Sequence, residues 1–279
     1  MFVSPWIKEL INLALKEDVG SGDITTGVTV PPGITSSAQI IAREEGVVAG
    51  LELAGQVLIS VDEGIDYRLK REDGDRVKED DVVAEITGEA GSILTAERTA
   101  LNFLQHMSGI ATITYEWSLP IKGYKAQLVD TRKTTPGLRH LEKYAVRIGG
   151  GRNHRHGLDS GVLIKENHIV AAGGIRAAVE RAREKAPITL RVEIEVTSLE
   201  ELEEAIEAGA DLIMLDNMDT SQLEKAVEVN KGRSFLEASG NITIDRLPEV
   251  AATGVDYISC GALTHSFRAL DFSLLFTNK

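Results

Sequence analysis

The stretch LRVEIEVTSLEELEEAIEAGADLIMLDN, residues 190–217, decides the fold. Leu190 to Val196 and Leu212 to Leu215 are apolar-rich runs, each followed by a loop. Between them Ser198 to Ala208 has helical spacing, and Ser198-Leu199-Glu200-Glu201 carries the pattern of a capping box. The rhythm recurs. Taking Val192, Ile213, Leu236 and Ile258 as strand markers, the intervals are 21, 23 and 22 residues. Such a β/α repeat implies parallel strands joined by crossover helices, with both faces of the sheet covered. Ala126 to Val129 and Val162 to Ile164 extend the series upstream. The repeating unit covers residues 115–268, which is short for a closed eightfold barrel of at least ~200 residues. An incomplete β/α barrel of six or seven strands is expected.

Residues 1–114 read differently. Pro5 to Leu15 has helical spacing, and Gly20-Ser21-Gly22-Asp23 stops it. Short β-like runs at Ser37 to Arg43, Tyr67 to Arg71 and Val82 to Thr87 surround one helix at Leu51 to Ser60, the pattern of a small α+β sandwich. Asp73-Gly74-Asp75-Arg76-Val77-Lys78 is read as a turn between two strands. Thr95 to Trp117 is one long helix bridging the two domains, and residues 269–279 form a tail expected to pack back on the first. The class is α/β.

The chain has 279 residues, with 30 Lys and Arg against 43 Asp and Glu, a formal charge of −13. A polyanion repels nucleic acid, so no such partner is expected. The single cysteine, Cys260, cannot form an internal disulfide, which points to a reducing compartment, the cytoplasm. The N-terminus shows neither a signal peptide nor a membrane span.

Barrel enzymes place their chemistry at the carboxyl ends of the strands. The groups following the apolar runs are Asp130-Thr131-Arg132-Lys133, Lys165-Glu166-Asn167-His168, Glu195, Asp216-Asn217, Glu237 with Ser239-Gly240, and Gly261. One polar residue there is an ordinary solvated loop, but six strand ends in succession make an active site. Residues 130–168 hold eight Lys or Arg against four acids, a local net of +4, and four of the six histidines. Guanidinium groups bind carboxylate or phosphate in bidentate fashion, so the substrate carries several negative charges. Arg139, Lys143 and Arg147, on the helix Leu138 to Arg147, read instead as solvent-facing. Glu195 and Asp216 end consecutive strands and suit Mg²⁺ or ribose hydroxyls. Ala238-Ser239-Gly240-Asn241 and Ser259-Cys260-Gly261-Ala262 are glycine-bearing turns in the positions where barrels often bind phosphate.

Several motifs in preserved order then resemble one family. They are Glu97-Arg98-Thr99-Ala100-Leu101-Asn102, Asp130-Thr131-Arg132-Lys133-Thr134, Gly149-Gly150-Gly151-Arg152-Asn153-His154-Arg155, Leu163-Ile164-Lys165-Glu166-Asn167-His168, Glu193-Ile194-Glu195-Val196, Leu215-Asp216-Asn217 and Ala238-Ser239-Gly240. Together they resemble the quinolinate phosphoribosyltransferases. That resemblance implies formation of nicotinate mononucleotide, pyrophosphate and CO₂ from quinolinate and phosphoribosyl pyrophosphate, with Mg²⁺, in NAD biosynthesis. It implies Arg98, Arg132, His154, Arg155 and Lys165 as the quinolinate set, and Lys133, Ser239, Gly240, Asn241, Gly261 and His265 as the phosphoribosyl side. Glu195 and Asp216 are implied as metal and ribose ligands, and with Lys165 as the catalytic group. It further implies a homodimer in which Arg98 reaches the neighbouring subunit's site. Asn241 departs from the resemblance, since Gly is common there. The surrounding cations are expected to keep His154 neutral until substrate binds. Competing readings are a Schiff-base aldolase or lyase at Lys165, a transferase-like paralogue linked to molybdenum transport, and a non-catalytic anion-binding module.

Overall fold

The structure, a computed structural model, describes residues 4–277 and divides into two compact units. One comprises residues up to Ile113 together with those from Phe267 onward; the other is Thr114–Ser266.

The first unit opens with α1 (Pro5–Val19) and α2 (Ile24–Thr29), the latter a helix not foreseen from sequence. Ser4 and Asp23 cap them by accepting amide hydrogens from Ile7 and Thr26. Then follow β1 (Thr35–Ala42), β2 (Gly46–Val47), α3 (Leu51–Val61), β3 (Asp66–Leu69), β4 (Arg76–Val77), β5 (Val82–Glu89) and α4 (Ala90–Ser118). The strand β12 (Phe272–Phe276) belongs here too. The main sheet has the order β12-β1-β5-β3, antiparallel throughout, while β2 and β4 pair separately. The expected tail is thus an edge strand, with Ala38 opposite Phe276 and Ala42 opposite Phe272. The apolar face of α3 is fully buried through Leu53, Val57 and Leu58. Asp73, in the stretch read as a turn, accepts amide hydrogens from Gly50 and Leu51 at 2.9 and 3.1 Å and so caps α3.

Helix α4 starts five residues earlier than the spacing predicts, because β5 runs straight into it. The chain leading to β12 crosses α4 at Gly109. A Cβ there would stand 2.3 Å from the Arg268 carbonyl oxygen, and the Leu270 amide donates to the Gln105 carbonyl at 3.1 Å.

The second unit contains β6 (Gln127–Val129), α5 (Arg139–Ile148), β7 (Val162–Ile164), α6 (Glu166–Ala172), α7 (Ile175–Lys185), β8 (Val192–Val196), α8 (Leu199–Glu207), β9 (Leu212–Asp216), α9 (Thr220–Asn230), β10 (Phe235–Ser239), α10 (Leu247–Ala252), β11 (Tyr257–Ser259) and α11 (Ala262–His265). Its six strands form a parallel sheet, β6-β11-β10-β9-β8-β7. The order is sequential except that β6 sits beside β11, as in a rolled sheet left open between its first and second strands. Six is the lower of the two expected strand counts. A parallel bridge from Val129 to Arg152 supplies one residue of a seventh strand at the β6 edge. Ser198 caps α8 as the sequence implies, but Glu201 reaches back to the Thr197 amide rather than completing a capping box.

Replacing a mid-helix glycine by alanine ordinarily stabilises a helix by about 0.5–1 kcal/mol. At Gly109 the sign reverses, since the contact is with backbone that cannot rotate away. Gly109→Ala should lower stability by about 1–3 kcal/mol in denaturant unfolding, and an unchanged or raised midpoint would refute this crossing.

Candidate active site

Side chains two apart on a strand share a face. On β8 that places Glu193 and Glu195 on one face, and on β10 Glu237 and Ser239. Register puts Met214 beside both Glu195 and Glu237, and Asp216 beside Ser239. Burial separates two groups: Glu195, Asp216 and Ser239 are half-buried, whereas Glu193 and Glu237 are buried beneath them. Above lies a cavity of about 870 Å³. Into it open Arg132 and Lys133 after β6, His154 and Arg155 from the loop before β7, and Lys165 after β7. Ser239, Gly240 and Asn241 line it after β10, as do Gly261 and His265 after β11. The barrel residues that the resemblance implied for the two substrates and the metal therefore line one space, whereas Glu166, Asn167 and His168 are exposed on α6 and Asp130 is buried behind the cavity. Arg98 stands exposed on α4, in the first unit.

A buried ion pair holds the wall of this cavity. Lys143 pairs with Asp130, and both side chains are fully buried. Asp130 also accepts from the His154 amide at 2.8 Å and from Asn153 Nδ2 at 2.6 Å, while Lys143 Nζ donates to the His154 carbonyl at 3.1 Å. Burial draws Asp130 up and Lys143 down, toward neutrality, and their mutual attraction opposes it. Lys143 thus corrects the sequence reading, which turned it to solvent. Arg139 is half-buried and donates to Thr134 Oγ1 at 2.9 Å, while Arg147 is exposed as expected.

The loop so anchored presents cations. Arg155 donates to the Gly161 carbonyl at 3.0 Å, but its Nε and that of Arg132 are buried with no partner. Burial and the nearby Arg132 both disfavour the Arg155 charge. Neither guanidinium makes an ion pair among the described residues. Both residues line the cavity, and an anionic ligand there would supply the charge partner that their guanidinium groups lack.

His154 differs from expectation. Its Nδ1 accepts from the Arg155 amide at 2.8 Å, and its Nε2 lies 2.9 Å from Glu193 and 3.6 Å from Glu237. Burial works against the imidazolium, but the Glu193 and Glu237 carboxylates outweigh it and His154 titrates above its ordinary range. Acids supplied by β8 and β10, not the neighbouring cations in the sequence, set its charge. Burial and the Glu193 charge push Glu237 up to about 7. Three polar side chains thus form a floor whose Glu193 member carried no signal beyond its place two residues before Glu195.

At the mouth, Lys165 pairs with Glu195. Burial and the Glu195 charge raise the Asp216 carboxyl, and the Asn217 amide opposes them by donating to it at 2.7 Å. Two mutually repelling carboxylates on adjacent strands are a donor set suited to a hard divalent cation.

Matches to known proteins cover both units. Residues 23–108 match the family model described as quinolinate phosphoribosyl transferase, N-terminal domain, and residues 110–275 its C-terminal domain. The chain is 43% identical over 268 residues to the probable nicotinate-nucleotide pyrophosphorylase [carboxylating] of Bacillus subtilis, covering 96% of this chain and 92% of that protein. It is 45% identical to the nicotinate-nucleotide pyrophosphorylase [carboxylating] of Mycobacterium leprae, with 96% of each covered. Among solved structures, NadC from Streptococcus pyogenes superposes with a TM-score of 0.95 at 42% identity over all of both chains.

Removing one partner of a buried pair strands the other, so Lys143→Met should cost about 3–5 kcal/mol in chemical denaturation; an unmoved midpoint would discount the pair. For Glu237, a folded pKa near 7 against an ordinary 4.5 means its favourable contribution is complete below about pH 4.5 and lost as pH rises to about 7. The Tm of Glu237→Gln relative to wild type should therefore climb across that window, and a flat difference would contradict the shift.

Proposed function

The chain belongs to the quinolinate phosphoribosyltransferase family, decarboxylating pentosyltransferases of NAD biosynthesis, and on that premise we propose how its cavity carries out the reaction. The enzyme joins the phosphoribosyl group of phosphoribosyl pyrophosphate to the ring nitrogen of quinolinate. Nicotinate mononucleotide, pyrophosphate and CO₂ are the products. The observation that carries the assignment of residues is the single cavity that brings the cations Arg132, Lys133, Arg155 and Lys165 together with the acids Glu195 and Asp216.

Arg132, Arg155 and Lys165 bind the two carboxylates of quinolinate, and His154 holds the Arg155 backbone in place through its Nδ1. Lys133 and the turns at Ser239-Gly240-Asn241 and Gly261, with His265, take the phosphates of the donor. As the bond from the ribose carbon to pyrophosphate breaks, that carbon gains oxocarbenium character and the pyridine nitrogen attacks it. The negative charge gathering on the departing pyrophosphate meets Lys133, a cation fixed in place before the reaction, where preorganised stabilisation is strongest. The ring is then cationic and accepts the electron pair of the breaking C–C bond as the adjacent carboxylate leaves as CO₂. A solvent proton fills the vacated ring position. Glu195 and Asp216 would hold Mg²⁺, whose chemistry is to neutralise the departing pyrophosphate. Arg98 reaches the site of a second subunit in a homodimer, and the protein works in the cytoplasm, a reading supported by its single cysteine; among the described residues no helix is long and apolar enough to cross a membrane. Lys165 is half exposed and paired with Glu195, unlike the desolvated lysine that Schiff-base chemistry needs.

Incubation with quinolinate, phosphoribosyl pyrophosphate and Mg²⁺ should yield nicotinate mononucleotide and CO₂, and chelation of the metal should abolish both. Product from nicotinate but not quinolinate would overturn the substrate. Arg155→Ala should lose about 2–5 kcal/mol of quinolinate binding while remaining folded; wild-type kcat/KM in that variant would refute the assignment of Arg155.

A further inference from the structure

We propose that Asn217 is a positioning residue that ties Asp216 to the turn Ser239-Gly240-Asn241, so that the metal and phosphate sides of the donor site form one unit. The proposal rests on the donor-site reading above and extends it to a residue to which that reading gives no role.

Four contacts converge on Asn217. Its Nδ2 donates to Asp216 Oδ2 at 2.7 Å, and its Oδ1 accepts from Asn241 Nδ2 at 3.0 Å. Its backbone amide donates to the Ser239 carbonyl at 2.9 Å, prolonging the β9–β10 ladder by one bond. Its side chain also fills the space beside Gly240, where a Cβ would lie 2.2 Å from Asn217 Oδ1 and 2.6 Å from its Cγ. The turn is shaped around this amide, and Gly240 is required both by the amide's approach and by its own φ of +95°.

The residue type follows from two demands. Asn217 has φ +55°, a conformation that most side chains disfavour and that Asn tolerates better than most. The position also needs one donor for a carboxylate and one acceptor for an amide. Glycine meets the first demand only. Aspartate keeps the acceptor but loses the donor and sets a second negative charge against Asp216. Asn241, at φ +49°, completes the chain of bonds, so the residue that departs from the common glycine contributes the hydrogen bond joining the turn to Asn217.

The test uses Asn217→Gly, Asn217→Asp, Asn241→Gly and the double variant Asn217→Gly/Asn241→Gly in the full chain with both substrates and Mg²⁺. Asn217→Gly relieves the backbone and removes the amide, so a merely conformational role predicts no loss. Positioning predicts a rise in KM for phosphoribosyl pyrophosphate of roughly tenfold or more, the scale of a hydrogen bond to a charged group, with KM for quinolinate within about twofold and an unchanged melting curve. Asn217→Asp should be at least as impaired. Asn241→Gly should raise the same KM by a smaller factor. The double variant should be no worse than Asn217→Gly, because both changes break one chain of bonds. A wild-type KM for phosphoribosyl pyrophosphate in Asn217→Gly, equal rises in both KM values, a lowered melt, or additive effects in the double variant would each overturn the proposal. Failure of the wild-type protein to turn over the two substrates would instead remove the underlying reading.

Discussion

The buried pair of Asp130 and Lys143 is the contact from which the substrate wall is built. Two charges without solvent are costly, and the hydrogen bonds around the pair offset much of that cost. Asn153 and the main chain of His154 supply those bonds. The loop between α5 and β7 is held at Arg152 by its bridge to β6 and, directly after it, at Asn153 and His154 by the ion pair. Arg155 follows directly in the chain, and its aim is inherited from an interaction that touches no substrate. Stability and substrate recognition here depend on the same few atoms.

Much of the architecture could be read from the spacing of apolar runs. The intervals of 21 to 23 residues located β8 to β11 because a strand, a helix and two loops consume a fixed length of chain. The strand ends then gave the cavity residues, since in a parallel sheet all carboxyl ends lie on one side. What spacing could not supply was partnership. Lys143 looks like any surface lysine on an amphipathic helix, and only the fold reveals that Asp130, thirteen residues earlier, waits beneath it. His154 misled for the same reason. Its chain neighbours are cations, yet its spatial neighbours are Glu193 and Glu237 from two other strands. Helix α2 escaped because six residues give too little periodicity to register.

The period-two geometry of strands also explains how one sequence element performs two tasks. Glu195 sits at the mouth beside Lys165, where water and substrate reach it. Glu193, one pleat deeper, is buried and engages His154. Identical side chains on one strand thus differ in charge environment through depth. A floor of two carboxyl groups shared with one imidazole lies beneath a cationic wall. The cavity carries charges of opposite sign on different sides, not a uniform positive field.

The pairing of β12 with β1 bears on the order in which the chain can be completed during synthesis. β1 gains its neighbour β5 by residue 89, but its other neighbour begins at residue 272, 183 residues later. On the ribosome the entire parallel unit emerges first, while the amides and carbonyls along one side of β1 have no strand to meet. Such an open edge is the feature through which nascent chains associate wrongly. β12 therefore covers the open side of β1 only after the catalytic half has been made and becomes the sheet's edge in its place, and a prematurely terminated chain would leave the longer β1 itself exposed.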